Sequence, residues 1–210
     1  VVQLIEDAKM AAGASAVAVI GGARGSNEDA FAWARLAHDV IDTPNVYAQM
    51  GDGLPVGVLA MPRATINDVA SAKTIVLLAP DLKEELPVLY LRVRDAVEKR
   101  KAKVIEFTPK QGGVTRHAWK SVAYEPGTQV QAVRDALADP AIAAQLASGD
   151  VAIVAGRANL AETSAATVQA LQALLTAVPN AKVLPAFRRG NVVGALQVGM
   201  RPRPGGLDTR

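Results

Sequence analysis

The sequence predicts an α/β fold of the doubly wound, Rossmann-like kind, with a mostly parallel sheet arranged in one or two α/β halves. Three observations carry this expectation. Short continuous apolar runs recur along the 210 residues, at 16–20, 74–79 and 151–155, as strands buried on both faces require, and 103–107 reads as a further strand. Helix-period patterns alternate with these runs. Glycine- and proline-rich turns sit at run ends, at 21–25 and 109–113. The alternation is that of successive βαβ units.

Taken in order, Val2, Leu4, Ile5, Ala8, Ala11 and Ala12 recur at helical spacing, and Gly13 stops that helix. The run 16–20 is the first strand. Ser26 then reads as an N-cap, with Asp29 three residues on in a capping-box pattern. The helix that follows places Ala30, Trp33, Ala34, Ala37, Val40 and Ile41 on one face and ends before Thr43-Pro44. Residues 45–64 read as loop, and 66–72 as a short helix capped by Thr65. After the strand 74–79, Glu84 and Glu85 open a helix and Lys99, Arg100 and Lys101 close it, which suits the helix dipole at both ends. Pro87 is tolerated in its first turn, and Leu89, Val93, Ala96 and Val97 form its apolar stripe. A weaker strand is expected at 121–124 and helices at 129–137 and 140–146, stopped by Ser148-Gly149-Asp150. The strand 151–155 precedes a helix over 163–178, with Val168, Leu171, Leu174, Leu175 and Val178 on one side, and a strand at 181–185. The division expected is a first α/β part at 1–138, a connector at 139–150, a second part at 151–200 and a tail at 201–210, the two parts being either two subdomains or two halves of one sheet.

Composition removes several chemistries. Half the residues are apolar but only 4% are aromatic, so the core is aliphatic. With 23 basic and 20 acidic residues the formal charge is +3, which gives no reason to expect nucleic acid as a partner. The absence of cysteine excludes disulfides, thiolate catalysis and all-cysteine zinc or iron–sulfur sites. His38 and His117 cannot make a metal cage alone, and no metal site is expected. No apolar run is long enough to span a membrane. The opening VVQLIEDAK lacks the order of a signal peptide. It also lacks an initiator methionine, so an excised piece of a longer polypeptide is expected.

In a doubly wound fold, ligands sit beyond the carboxyl ends of the strands. The turn at 21–27 fails both phosphate signatures. A dinucleotide fingerprint counted from Gly21 meets Ala23 and Ser26, and counted from Gly22 meets Arg24 and Asn27. A P-loop needs four residues between its glycines and then Lys, whereas Gly21 and Gly25 enclose three and Ser26 follows. A helix N-terminus beside Arg24 still attracts an anion, so the turn is either a tight solvated bend or a ligand site. Asp81 and Glu84 are either an acid–base pair or a cap with dipole complementation. Asn159 and Glu162 follow the strand 151–155 as polar groups at a strand end. His117 reads as a loop histidine or a proton-transfer group, and His38 as a packing residue. The basic run from Lys99 to Lys120 is a solvated face or a patch that meets an acidic neighbour. No G-x-S-x-G elbow is present.

The segment GGARGSNEDAFAWARLA resembles the G-S-A-R-x-T/S-N-E-E segment of the molybdopterin oxidoreductase superfamily. APDLKEELPVLYLRVRDAVEKRKAKVIEF is similar to the G-P-D-L-K-E-E-L-P-V-L-x-L-R-x-R block of its branch formed by the G subunits of bacterial NADH-quinone oxidoreductase, respiratory complex I. EPGTQVQAV, VAIVAGRANLAET and PAFRRGNVVGALQVGMRP resemble later segments of the superfamily. The resemblance implies an assembly that passes electrons from NADH to quinone at the cytoplasmic side of the bacterial membrane. Its iron–sulfur clusters are held by cysteines in an N-terminal region, so this chain corresponds to part of the large C-terminal domain. Relatives that hold molybdopterin guanine dinucleotide use the turns around 21–27, 79–84, 108–112 and 156–159. Here Ala79-Pro80-Asp81 stands where they often carry Asn-Pro, and Thr108-Pro109-Lys110 where they often carry Asp-Pro-Arg.

The resemblance and the mismatched turns together predict a structural, cofactor-free domain with no catalytic residue of its own. Its expected partners are the cluster-bearing region of its own subunit and the other subunits of the complex, with neither nucleic acid nor direct membrane insertion. Arg24, Ser26, Asn27, Asp81, Glu84 and Asn159 are the candidate vestigial cofactor contacts. The alternatives are a molybdopterin- or nucleotide-binding domain of a related oxidoreductase, built on those same residues, and a free-standing Rossmann-type sensor.

Overall fold

A computed structural model describes residues 1–48 and 54–207. The chain begins with helix α1 (Val2–Ala12), a short turn, strand β1 (Ala18–Ile20), helix α2 (Asn27–Arg35) continued by a π turn over Leu36–Ile41, and β2 (Asn45–Tyr47). A 3-10 turn, α3 (Ile66–Ser71), β3 (Thr74–Leu78), α4 (Leu82–Glu85), α5 (Pro87–Arg100) and β4 (Lys103–Thr108) follow. Next come β5 (Lys120–Ala123), α6 (Gln129–Ala138), α7 (Pro140–Leu146), β6 (Val151–Ala155), α8 (Ser164–Ala177), β7 (Lys182–Pro185) and α9 (Val192–Gln197). Packing divides them into two units, Val1–Gly51 with Arg189–Arg210, and Asp52–Arg188.

The second unit is a five-stranded, wholly parallel sheet in the order β5-β4-β3-β6-β7. β3 and β6 are buried at every position because each strand packs helices on both faces. Val76, Leu78, Ile105, Phe107, Ile153 and Ala155 meet α6, α7 and α8 on one face. Ile75, Leu77, Val104, Ala152 and Val154 meet α3 and α5 on the other. The apolar runs are therefore continuous rather than alternating. Across 139–150, α7 leads into β6, whose backbone pairs with β3 from Thr74↔Val151 to Leu78↔Ala155, so the stretches on either side contribute to one sheet.

Local chemistry explains the helix ends. Thr65 and Asp68 form a capping box at α3. Asp139 caps α7, and Pro140 takes its first position. The predicted single helix after β3 is two: the chain leaves helical geometry at Leu86, with φ −138° and ψ 65°, and restarts with Pro87 at its first turn. α5 ends on Lys101 in the left-handed conformation, φ 61°.

The first unit holds a two-stranded parallel sheet, β1 beside β2. Here the predicted burial is corrected. β1 covers only 18–20 of the run 16–20, and Ile20 is 60% exposed, because two strands leave sheet faces without cover. β2 lies in the stretch read as loop, of which 49–53 fall outside the described residues. On α2 the buried stripe is Ala30 and Ala34, continued by Ala37 and Ile41. Trp33 and Val40, predicted on the same face, are exposed at its margin. The described part of the tail is tied down without regular structure. The Leu207 N–H donates to Asn45 Oδ1 (2.7 Å) and the Arg203 N–H to the Pro44 carbonyl (3.1 Å).

Candidate functional site at the carboxyl edge of the sheet

From β3 the chain builds outward through β4 to β5, then returns to place β6 on the other side of β3. The topological switch point of the second unit thus lies between the carboxyl ends of β3 and β6, where a ligand crevice is expected. The backbone keeps pairing beyond the strand ends. The Gly156 N–H donates to the Leu78 carbonyl (2.7 Å), and the Ala186 N–H to the Ala155 carbonyl (2.6 Å). A Cβ at Gly156 would lie 3.0 Å from Pro80 Cδ and 3.4 Å from both Ala186 Cβ and its carbonyl oxygen. At this point the loops touch rather than splay.

Asp81 spends both carboxylate oxygens on main chain. Oδ1 accepts from the Lys83 N–H (3.0 Å) as the cap of α4, and Oδ2 accepts from the Gly113 N–H (3.0 Å) in the loop after β4. Gly112 and Gly113 are required by this closeness: a Cβ on Gly112 would sit 3.0 Å from Asp81 Oδ2, and one on Gly113 would meet the Lys83 stem. Glu84 is exposed in the first turn of α4, and neighbouring Glu85 pairs with Arg188 (2.5 Å). Asp81 and Glu84 thus act as cap and dipole partner. Asn159 Oδ1 accepts from the Ala161 and Glu162 N–H groups (2.9 and 3.2 Å), an Asx turn.

Next to Asn159 lies a polar cluster that the sequence did not reveal as one. Glu162 is 1% exposed; its Oε1 accepts from the Gly127 N–H (2.7 Å), and its Oε2 has no partner among the described residues. Gln129 is fully buried; its Nε2 donates to the Tyr124 hydroxyl (3.2 Å), and its Oε1 has no partner among the described residues. The Asn159 amide lies beside the same hydroxyl, but no acceptor meets hydrogen-bond geometry for its Nδ2. Burial, followed by the Glu162 charge, pushes the Tyr124 hydroxyl up to about 12. The Arg157 guanidinium donates to the Glu162 and Leu160 carbonyls (3.2 and 2.8 Å), which folds this loop on itself. Within β4, Glu106 is also buried. Ser121 Oγ donates to its Oε2 (3.2 Å), and burial raises its pKa.

Arg24, Ser26 and Asn27 belong to the first unit, in the turn from β1 to α2. Ser26 and Asp29 complete the predicted capping box: Asp29 N–H donates to Ser26 Oγ (3.2 Å) and Ser26 N–H to Asp29 Oδ2 (3.0 Å). The turn offers carbonyls, not N–H groups, to its neighbour, since the Asn191 N–H donates to the Ala23 carbonyl (2.9 Å) and Asn191 Nδ2 to the Gly25 carbonyl (3.0 Å). Gly21 accommodates the Met200 methyl, and Gly194 of α9 accommodates the Asn27 side chain. Arg24 is exposed.

Glu28 and Asp29 place two carboxylates on the first turn of α2. In the second unit Asp81, Glu84 and Glu162 line the carboxyl edge with further negative charge. His117 Nε2 accepts from Arg116 Nε (3.1 Å), and the His38 ring nitrogens face the Thr43 and Gly199 carbonyls (3.2 and 3.0 Å), so each is held by packing partners. Among the described residues no cluster of three His, Cys, Asp or Glu could hold a metal, and no helix is long and apolar enough to cross a membrane. A groove of about 460 Å³ lies between β5 and α6, lined in part by Lys120, Tyr124 and Asp135; Asp81, Glu84 and Asn159 take no part in it.

Comparison with known proteins agrees with this architecture. The family model described as molybdopterin oxidoreductase matches residues 2–207. The NADH-quinone oxidoreductase subunits G of Mycobacterium bovis and Mycobacterium tuberculosis are each 27% identical across 94% of this chain. The chain spans about a quarter of the length of these curated relatives, 25% of each. A chain of the formyltransferase/hydrolase complex from Methylorubrum extorquens shares the fold, with a TM-score of 0.64 at 16% identity, over 86% of this chain and 56% of that one.

Proposed function

The chain belongs to the molybdopterin oxidoreductase family, and from that premise we propose that it is an architectural, cofactor-free domain of an NADH-quinone oxidoreductase G subunit. In this reading it supports electron transfer from NADH to quinone in the full complex without carrying electrons itself. Similarity to the two mycobacterial subunits supports the choice of enzyme. The observation that carries the architectural role is the closed switch point, where Gly156 packs on Pro80 and Ala186 while Asp81 binds the loops after β3 and β4. Groups that a ligand would need are spent on the protein's own backbone. Iron–sulfur clusters then belong to a cysteine-bearing region elsewhere in the full subunit. The domain braces that region and meets other subunits at the cytoplasmic face of the membrane, peripherally and without nucleic acid.

A competing reading, a molybdopterin- or nucleotide-binding domain, draws on the unpartnered atoms of Gln129, Asn159 and Glu162 at the same sheet edge. Plasma mass spectrometry and pterin fluorescence separate the two. The purified chain is expected to contain molybdenum, tungsten and iron far below stoichiometry, and to release no pterin on oxidation. Calorimetry with guanine and adenine dinucleotides is expected to show no binding tighter than millimolar. Stoichiometric molybdenum, a released pterin or micromolar dinucleotide binding overturns the architectural reading.

A further inference from the structure

All strands of the second unit run the same way, so their first residues share one edge, opposite the site above. Lysines stand at four of the five entries: Lys73 just before β3, Lys103 opening β4, Lys120 opening β5 and Lys182 opening β7. Backbone bonds set the central ones side by side. The Lys73 N–H donates to the Asp150 carbonyl (3.1 Å), the Lys103 N–H to the Lys73 carbonyl (3.0 Å) and the Trp119 N–H to the Val104 carbonyl (2.9 Å). At a strand spacing of about 4.8 Å, Lys73, Lys103 and Trp119 form a row roughly 10 Å long.

The row is held in place. The Lys73 stem lies over Gly149, where a Cβ would come within 2.8 Å of its Cδ, and its Nζ donates to the Ser148 carbonyl (2.7 Å). Lys103 Nζ sits 4.6 Å from the Trp119 ring centroid, a cation–π contact. Lys101 Nζ donates to the Glu98 carbonyl (2.9 Å). Lys120 and Lys182 pair with Asp139 (3.3 Å) and Asp68 (3.2 Å). Lys73, Lys101 and Lys103 have no carboxylate partner among the described residues, and Trp119 beside them is 37% exposed.

We propose that this amino edge, centred on Lys103 and Trp119, docks an acidic surface of a neighbouring polypeptide. Three uncompensated ammonium groups supply the charge complement, and a fixed aromatic ring supplies the buried anchor that protein interfaces favour. Nucleic acid suits the edge less well, since single-strand grooves use several aromatic rings for successive bases and Lys103 already covers one face of Trp119. The inference is independent of the cofactor question, because the edge lies at the opposite end of the strands.

The chain has two tryptophans, so Trp33→Phe leaves Trp119 as sole reporter. In that background the chain is titrated with a glutamate-rich peptide, a DNA oligonucleotide and phosphatidylserine vesicles, each at low and high salt. The peptide is expected to give a saturable change in Trp119 fluorescence that weakens with salt. Lys73→Gln with Lys103→Gln is expected to lower its affinity about tenfold, and Lys73→Gln alone to lower it in the same direction. Arg92→Gln, an exposed change in the middle of α5, is expected to leave it unchanged. No saturable change, tighter binding of oligonucleotide or vesicles, or indifference to both lysine variants overturns the proposal. Circular dichroism confirms that each variant is folded before it is scored.

Discussion

Replacing Glu162 by Ala and by Gln separates two jobs that the side chain could hold. Its Oε1 takes the buried Gly127 N–H at 2.7 Å, while Oε2 is buried with no partner among the described residues. Glu162→Ala removes a charge-assisted bond worth about 2 kcal/mol and strands the Gly127 N–H. The lost side-chain stem adds about 1 kcal/mol. The loss of about 3 kcal/mol lowers the melting temperature by roughly 6–12 °C for a chain of this size. Glu162→Gln keeps an acceptor for Gly127 and replaces the buried carboxylate oxygen, which has no partner among the described residues, by a neutral amide. Relief of the buried charge offsets the weaker bond, so the expected melting temperature lies within a few degrees of the parent or above it. Calorimetric melts of both variants at neutral pH check this. A fall in Glu162→Gln as large as in Glu162→Ala refutes the reasoning, because the charge itself would then be in use, as a bound cation or cationic ligand requires.

Other expectations follow from the same geometry. Gly156→Ala forces a Cβ against the stiff Pro80 ring and is expected to cost about 1–3 kcal/mol, whereas Gly21→Ala meets only the flexible end of Met200 and costs less; paired urea melts rank them. Burial raises the Glu106 pKa in the folded chain, so its contribution is fully present below the unfolded value of 4.5 and is lost as pH rises through the folded value. Glu106→Gln is therefore expected to melt higher than the parent at pH 7 and to flatten the pH dependence above 4.5; a lower melt at pH 7 contradicts the assignment. Asp68 behaves oppositely. The Thr65 bonds and then Lys182 hold its pKa at about 2, so its contribution is present above 3.8 and fades as pH falls towards 2. Thr65→Ala, followed through acid unfolding, is expected to shift that loss to higher pH.

Much of this fold was legible because the signals are local. β3 and β6 sit between helices on both faces, so their sequences are unbroken apolar runs. The Ser26 and Thr65 caps are read from spacing alone, since an N-cap bonds its own N3 residue. β2 escaped because Asn45-Val46-Tyr47 holds no apolar run, and only pairing with β1 makes it a strand. Of the candidate contacts, Asp81 and Asn159 were legible as polar groups at strand ends. What they bond was not, because the partner of Asp81 Oδ2, Gly113, lies in a different loop. The cluster of Tyr124, Gln129 and Glu162 was hidden for the same reason.

By itself the sequence determined the fold class, the apolar strands and the helix caps, all properties of neighbours along the chain, and the absence of cysteine. Only the tertiary structure decided that β6 pairs with β3, that the switch point closes on Gly156, and that the lysines at strand entries share one edge. The physical reason is that strand pairing and the satisfaction of buried polar atoms join residues far apart in sequence, and no spacing along the chain encodes which distant partner a backbone or carboxylate will meet.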